Sequence, residues 1–305
     1  MRFSVALPTD RPEIAEFQTA AGLAAISRCV EASGLDAVFV TDHPAPDDRW
    51  LAGGGHHAAE PTVALAFAAA ATTQLRLHTN IYVLAYRNPF LAAKALGSLD
   101  VLSGGRLIAG IAAGYLRPEF RSVGQPFDDR NDLTDELIGQ LRDIWSGESF
   151  AGSREGLGGW SATGVTQLPA PEQAPPIWIG GNSSRAIRRA AELGDGWSPF
   201  PTAPGLASAA KTASITSVAD LERGIARVHG LRQMADRRGA FDVCCGPFSW
   251  GAYHDGGPAE PLMAELRVMA DVGVTWSTLG FRSDSVANTC RAIERFATDV
   301  ASHLR

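Results

Sequence analysis

No block of lysine or arginine occurs anywhere in this 305-residue chain, and its longest apolar stretch, around Ala64 to Ala71, is too short to span a bilayer. With a net charge of −6 and a pI near 5.7, the composition argues against a nucleic-acid partner or an anionic membrane surface. The opening MRFSVALPTD lacks the basic-then-apolar pattern of a secretory leader and reads as a first strand, so a cytoplasmic protein is expected. Metal-ligand spacing is missing as well. The four cysteines, Cys29, Cys244, Cys245 and Cys290, are scattered, and the adjacent pair lies in an apparent strand where neighbours face opposite ways, which fits reduced core thiols. His56 and His57 lack a carboxylate at ligand spacing, so no metal is expected. Neither a GxGxxG nor a P-loop spacing is present, which removes the classical dinucleotide fold and the nucleotide triphosphatases. Internal repeats and domain linkers are absent too, leaving one domain over residues 1–305.

What is present is alternation. Strand patterns run at Phe3–Leu7, Ala37–Thr41, Leu75–Leu84, Leu107–Ala113, Ile177–Gly180, Gly196–Phe200, Phe241–Ser249 and Thr275–Gly280. Helix patterns follow them at Ile14–Ser33, Pro61–Thr73, Pro89–Leu102, Asp132–Trp145, Ser184–Leu193, Val218–Arg238, Pro261–Val272 and Asp284–His303. A strand-helix-strand order with short joints forces parallel strands, so the expected fold is α/β, a (β/α)8 TIM barrel with inserted loops. An open doubly wound sheet is the other arrangement this order allows. Longer segments at 47–60, 147–176 and 201–217 exceed ordinary connections. The first and third follow strands and belong over the catalytic face, whereas the second, rich in glycine and proline and suited to a small hairpin, follows a helix and is expected on the opposite face.

Chemistry in such a barrel gathers at the carboxyl ends of the strands. Asp42-His43-Pro44 closes the second strand, placing a carboxylate and an imidazole there; His43 is the catalytic candidate because imidazole titrates near neutrality. Gly110, Ala112 and Gly114 share one face of the fourth strand and leave it bare enough for a flat ligand to reach the backbone. Beyond that strand, Tyr115, Arg117 and Glu119 are candidates for positioning substrate or assisting proton transfer. Trp50, Trp197 and Phe200 are candidate pocket walls. The segment at 175–197 runs from a strand through Gly180 and Gly181 into a helix capped by Asn182 or Ser183, where free amides and the helix dipole favour a phosphate.

Three stretches, VTDHP at 40–44, the run from Thr79 to Phe120 and PPIWIGGNSSRAIRRAAELGDGW at 175–197, resemble the luciferase-like flavin monooxygenase superfamily, especially its deazaflavin-dependent oxidoreductase branch. The resemblance implies a barrel that binds coenzyme F420, or alternatively FMN, and acts on a small molecule; homodimers are common in such a family. Carried over, it places Asp42 and His43 against the ring, with His43 assisting hydride transfer. It sets Asn80-Ile81 where a non-prolyl cis peptide backs the ring, Ala113 and Gly114 at the rim beside the cofactor, and Gly180, Gly181, Asn182, Ser183 and Ser184 around its phosphate. Two positions depart from the relatives. Tyr115 replaces the glutamate of the sugar-phosphate dehydrogenase branch, which weighs against sugar phosphate oxidation, and His78 stands where glycine is common. The readings that compete with an F420-dependent oxidoreductase are an FMN-dependent monooxygenase, a non-catalytic flavin-binding barrel and, least supported, a metal-dependent isomerase.

Overall fold

The computed structural model describes residues 1–156, 158–209 and 212–304, so single points of the two later long segments lie outside the described residues. Among the described residues, ten strands occur in chain order: β1 Arg2–Ala6, β2 Ala37–Val40, β3 Arg76–Val83, β4 Leu107–Ala112, β5 Phe150–Arg154, β6 Trp160–Val165, β7 Ile177–Gly180, β8 Gly196–Ser198, β9 Asp242–Val243 and β10 Trp276–Leu279. Eight of them form a single parallel sheet in the order β10-β1-β2-β3-β4-β7-β8-β9. A bridge between Cys244 and Trp276, with Thr275 N donating to Val243 O at 3.0 Å, joins its two edges. The sheet is therefore the expected barrel.

The helices are α1 Ala20–Ala32, α2 Asp48–Ala52, α3 Pro61–Ala71, α4 Pro89–Ser103, α5 Arg117–Ser122, α6 Arg130–Trp145, α7 Ser184–Leu193, α8 Pro204–Ala209, α9 Val218–Met234, α10 Trp250–His254, α11 Ala259–Asp271 and α12 Val286–Asp299. Among the described residues, no helix is long and apolar enough to cross a membrane. Proline opens α3 and α4, where a missing N–H costs nothing, and Gly104 ends α4 at φ 74°. The helix expected from Ile14 is split, with a 3-10 turn at Ala15–Gln18 followed by α1. Thr19 caps α1 through Gly22 N, and the Glu16 carbonyl presses against Gly22. The strand expected over Phe241–Ser249 stops at Val243, because Glu265 takes the amides of Phe248 and Ser249 at 2.6 and 2.9 Å and turns the chain toward α10.

Alternation sorts the core into two shells. Ala37, Ile108, Trp178, Cys244 and Trp276 fill the barrel interior, while Cys245 points into the larger layer between strands and helices, so the neighbouring thiols do face opposite ways. His78 lies in the floor, fully buried, with Trp178 at 5.0 Å and its Nδ1 3.3 Å from the Ser4 hydroxyl. Gly110 is bare for a structural reason: a Cβ there would sit 2.0 Å from the Thr79 carbonyl, so protein rather than ligand occupies that part of the face.

Residues 147–176 do contain an antiparallel hairpin, β5 with β6. It departs from the opposite-face expectation, because Phe150 and Trp160 stack on Phe90 in the first turn of α4 at 5.6 and 5.3 Å, and Arg154 pairs with Glu136 at 2.7 Å. Apolar rings seeking a partner pull the hairpin up the outside of the barrel, toward the carboxyl ends of the strands.

Candidate active site

One cavity of about 350 Å³ opens at the carboxyl ends of the strands, a size typical of small-molecule sites. It gathers Asp42, His43, Asn80 and Ile81 from β2 and β3, and Ala113, Gly114 and Tyr115 from the end of β4. Gly180, Gly181, Ser183 and Phe200 line its other end. Residues separated by more than 150 positions in sequence thus share one wall.

The β2 dipeptide divides its duties. The Asp42 carboxylate is buried and takes Val83 N at 2.8 Å and Arg87 Nη1 and Nη2 at 2.5 and 3.0 Å, so it staples β2 to the end of β3. Burial opposes the charge on Arg87, yet Asp42 outweighs it and raises the guanidinium above its ordinary range. His43 lines the cavity. Its ring packs near Trp50 at 4.5 Å, His56 at 4.8 Å and Tyr115 at 6.2 Å, and its Nδ1 lies 3.3 Å from Glu119 Oε2. Burial, followed by the neighbouring His43, keeps the His56 imidazole below its usual pKa, and burial together with Glu119 pushes the Tyr115 phenol up to about 12. Both are therefore neutral hydrogen-bonding walls near pH 7.

The middle of the cavity is shaped by backbone. β3 slips register between Thr79 and Tyr82, the Asn80-Ile81 peptide bond is cis, and Ser198 Oγ donates to Asn80 Oδ1 at 3.1 Å. Ile81 lies so close to β7 that a Cβ on Gly180 would meet its Cδ1 at 2.5 Å. Gly114 holds φ at 77°, with Val83 and Phe120 where a side chain would go.

At the far end, Ser183 caps α7 through Ala186 N, which leaves the first-turn amides pointing to the cavity end. Two arginines that sequence reasoning missed meet there. Arg130 Nε donates to the Gly114 carbonyl at 3.1 Å, and buried Arg189 donates to Asn131 O at 3.0 Å and pairs with Asp135. Their signal was faint: Arg189 sits among Ala186, Ile187 and Ala190 on the buried face of α7, where a charge requires a reason.

Five expected contacts are relocated. Trp197 faces outward, its ring against Gly224 of α9 and its Nε1 donating to Gly181 O at 2.9 Å, because only alternate residues of β8 look inward; it supports the loop after β7 from behind instead of lining the pocket. Asn182 is buried and spends its side chain on Phe200 N and O, Thr202 and Ala213, holding those three residues to the loop after β7. Ser184 is exposed and accepts from Arg227 at 3.1 Å. Trp50 touches His43 but not the cavity wall. Arg117 likewise turns to solvent, pairing with Asp128. Among the described residues, no three His, Cys, Asp or Glu side chains group as a metal site.

A sequence profile of the luciferase-like monooxygenases matches residues 1–237. The FMNH2-dependent dimethylsulfone monooxygenase of Pseudomonas fluorescens is 34% identical over 151 residues, covering 48% of this chain and 40% of that one. The F420-dependent glucose-6-phosphate dehydrogenase of Beutenbergia cavernae is 32% identical over 182 residues, covering 57% and 51%. Among solved structures, an F420-dependent secondary alcohol dehydrogenase superposes with a TM-score of 0.74 at 17% identity, over 99% of this chain and 98% of that one.

Proposed function

The chain belongs to the luciferase-like monooxygenase family, and from that premise we propose that it is a coenzyme F420-dependent oxidoreductase moving a hydride between the deazaflavin and a small organic substrate. The observation that carries this reading is a cavity with an imidazole at one end and, at the other, the N-terminus of α7 beside Arg130 and Arg189, a setting suited to an anion. Its chemistry suits a flat, phosphorylated ring. The α7 amides with Arg130 and Arg189 would hold the phosphate, and Ile81, Ala113 and Gly114 would flank the ring. When bound, the deazaflavin supplies or accepts the hydride. Hydride transfer at a carbon bearing oxygen or nitrogen is matched by a proton at the heteroatom, and His43 is the group placed to take or return it. Tyr115, His56 and Phe200 exclude water around that proton and shape the room left for substrate.

The second reading is an FMN-dependent monooxygenase, favoured by the 34% identity to the dimethylsulfone enzyme. Both cofactors offer a tricyclic ring and a phosphate, so the anion seat serves either. Titration of the purified apoprotein with each, followed by fluorescence quenching, tests the choice. Saturable binding of the deazaflavin with weak FMN binding is expected; tight binding of FMN alone reverses it. The homodimer that the family resemblance implies is part of the proposal, and light scattering on the purified protein tests it.

A further inference from the structure

Glu119 is fully buried and absent from the cavity wall, yet it stands directly behind the imidazole. Three groups from two segments, the loop after β2 and the turn after β3, converge on its carboxylate. Tyr86 OH, in the turn after β3, donates to Oε2 at 2.7 Å; Ala45 N, after β2, donates to Oε1 at 3.3 Å; and His43 Nδ1 lies 3.3 Å from Oε2. Burial, then the bond to Glu119, raises the Tyr86 phenol above its ordinary pKa, so Tyr86 stays a donor. A carboxylate ringed by donors has only acceptor capacity to offer the imidazole.

We propose that Glu119 is the positioning residue for His43: it holds the ring with its proton on Nδ1 and so presents Nε2, as a bare acceptor, to the substrate side of the cavity. A neutral imidazole carries one proton, and the nitrogen that faces a hydrogen-bond acceptor is the one that keeps it. With Nδ1–H directed at Glu119, Nε2 takes the proton released as substrate loses its hydride, and the resulting imidazolium is stabilised by the carboxylate behind it. In the reducing direction the same Nε2–H returns the proton. The long 3.3 Å separation leaves this pair room to tighten as charge develops on the ring. The sequence marks Glu119 as a candidate for positioning substrate or assisting proton transfer; the geometry favours the second, exerted through His43.

This inference rests on the reading of His43 as the proton-transfer group, and its test is separable from that reading. Nitrogen-15 NMR of histidine-labelled protein without cofactor, at alkaline pH where the ring is neutral, reads the tautomer directly. The wild type is expected to show His43 protonated on Nδ1; a proton on Nε2 overturns the proposal without any variant. In Glu119→Gln, whose amide can donate as well as accept, the Nε2-protonated form is expected to gain population and kcat to fall roughly 10- to 100-fold, with cofactor Kd unchanged within about twofold. Tyr86→Phe keeps the carboxylate and is expected to keep the wild-type tautomer, with a loss of kcat under about tenfold. An unchanged tautomer in Glu119→Gln overturns the proposal even if activity falls. A shifted tautomer combined with full activity in His43→Asn leaves the Glu119 coupling standing and removes the proton-transfer role.

Discussion

Two histidines on neighbouring strands of the same barrel end in opposite circumstances. His43, at the mouth, borders the cavity and has a carboxylate behind it; His78, in the floor, is sealed among Trp178, Ser4 and backbone, with its Nε2 unpartnered among the described residues. Burial, reinforced by the nearby Arg76 charge, drives the His78 imidazole down to about 3, so it is a neutral space-filler across the physiological range. The same ring borders the cavity in one place and is packing in the other. What separates them is the partner that can share a proton's charge and the access of substrate.

The largest effect expected is at the mouth. His43→Asn should lower kcat by about 10² to 10⁴, the usual contribution of a positioned acid or base, while cofactor affinity measured by fluorescence titration stays close to wild type. Retained turnover would make the two histidines equivalent and the protein a cofactor carrier. Next come the anion-seat residues: Arg130→Met should weaken binding of the phosphorylated cofactor by roughly 10- to 100-fold, as loss of a charge-assisted bond does, and spare kcat at saturation. Equal affinity in low-salt titrations would disconnect the arginine from the phosphate.

The floor is probed by pH. His78 has a folded pKa of about 3 against an ordinary 6.5, so as pH falls below 6.5 the unfolded chain binds a proton that the folded chain refuses. Stability contributed above 6.5 is therefore lost on acidification, by about 1–2 kcal/mol between pH 6.5 and 5. His78→Gln should flatten that part of the denaturation profile and leave kcat intact. A change in kcat without a change in slope would reverse the roles assigned to mouth and floor. The smallest effect belongs to Trp197→Phe, which removes the bond to the Gly181 carbonyl and should cost about 1 kcal/mol in chemical denaturation, with a loss of cofactor affinity under about tenfold.

Much of this contrast was readable before any coordinates. The change of period between Leu75 and Phe120 fixed a parallel strand-helix-strand unit, and a carboxyl strand end was enough to single out His43. Gly180 and Gly181 read as room for a phosphate beside the backbone, whereas the neighbour that crowds Gly180 is the Ile81 side chain. Other features depend on partners distant in sequence. Arg130 and Arg189 reach the anion seat from two helices whose relative rotation no local pattern encodes. The outward turn of Trp197 depends on strand parity over only three residues, too few to read from alternation. The hairpin climbs the barrel because of one exposed-side ring on α4, and β9 is short because Glu265 captures its continuation.

The staple between Asp42 and Arg87 carries a practical lesson for anyone redesigning this enzyme. Randomising the whole Asp42-His43-Pro44 strand end would collapse the doorway before any new reactivity was sampled, since one carboxylate secures two strands at once. Selectivity is better sought by varying Tyr115, His56 and Phe200, which border the vestibule without bracing its frame.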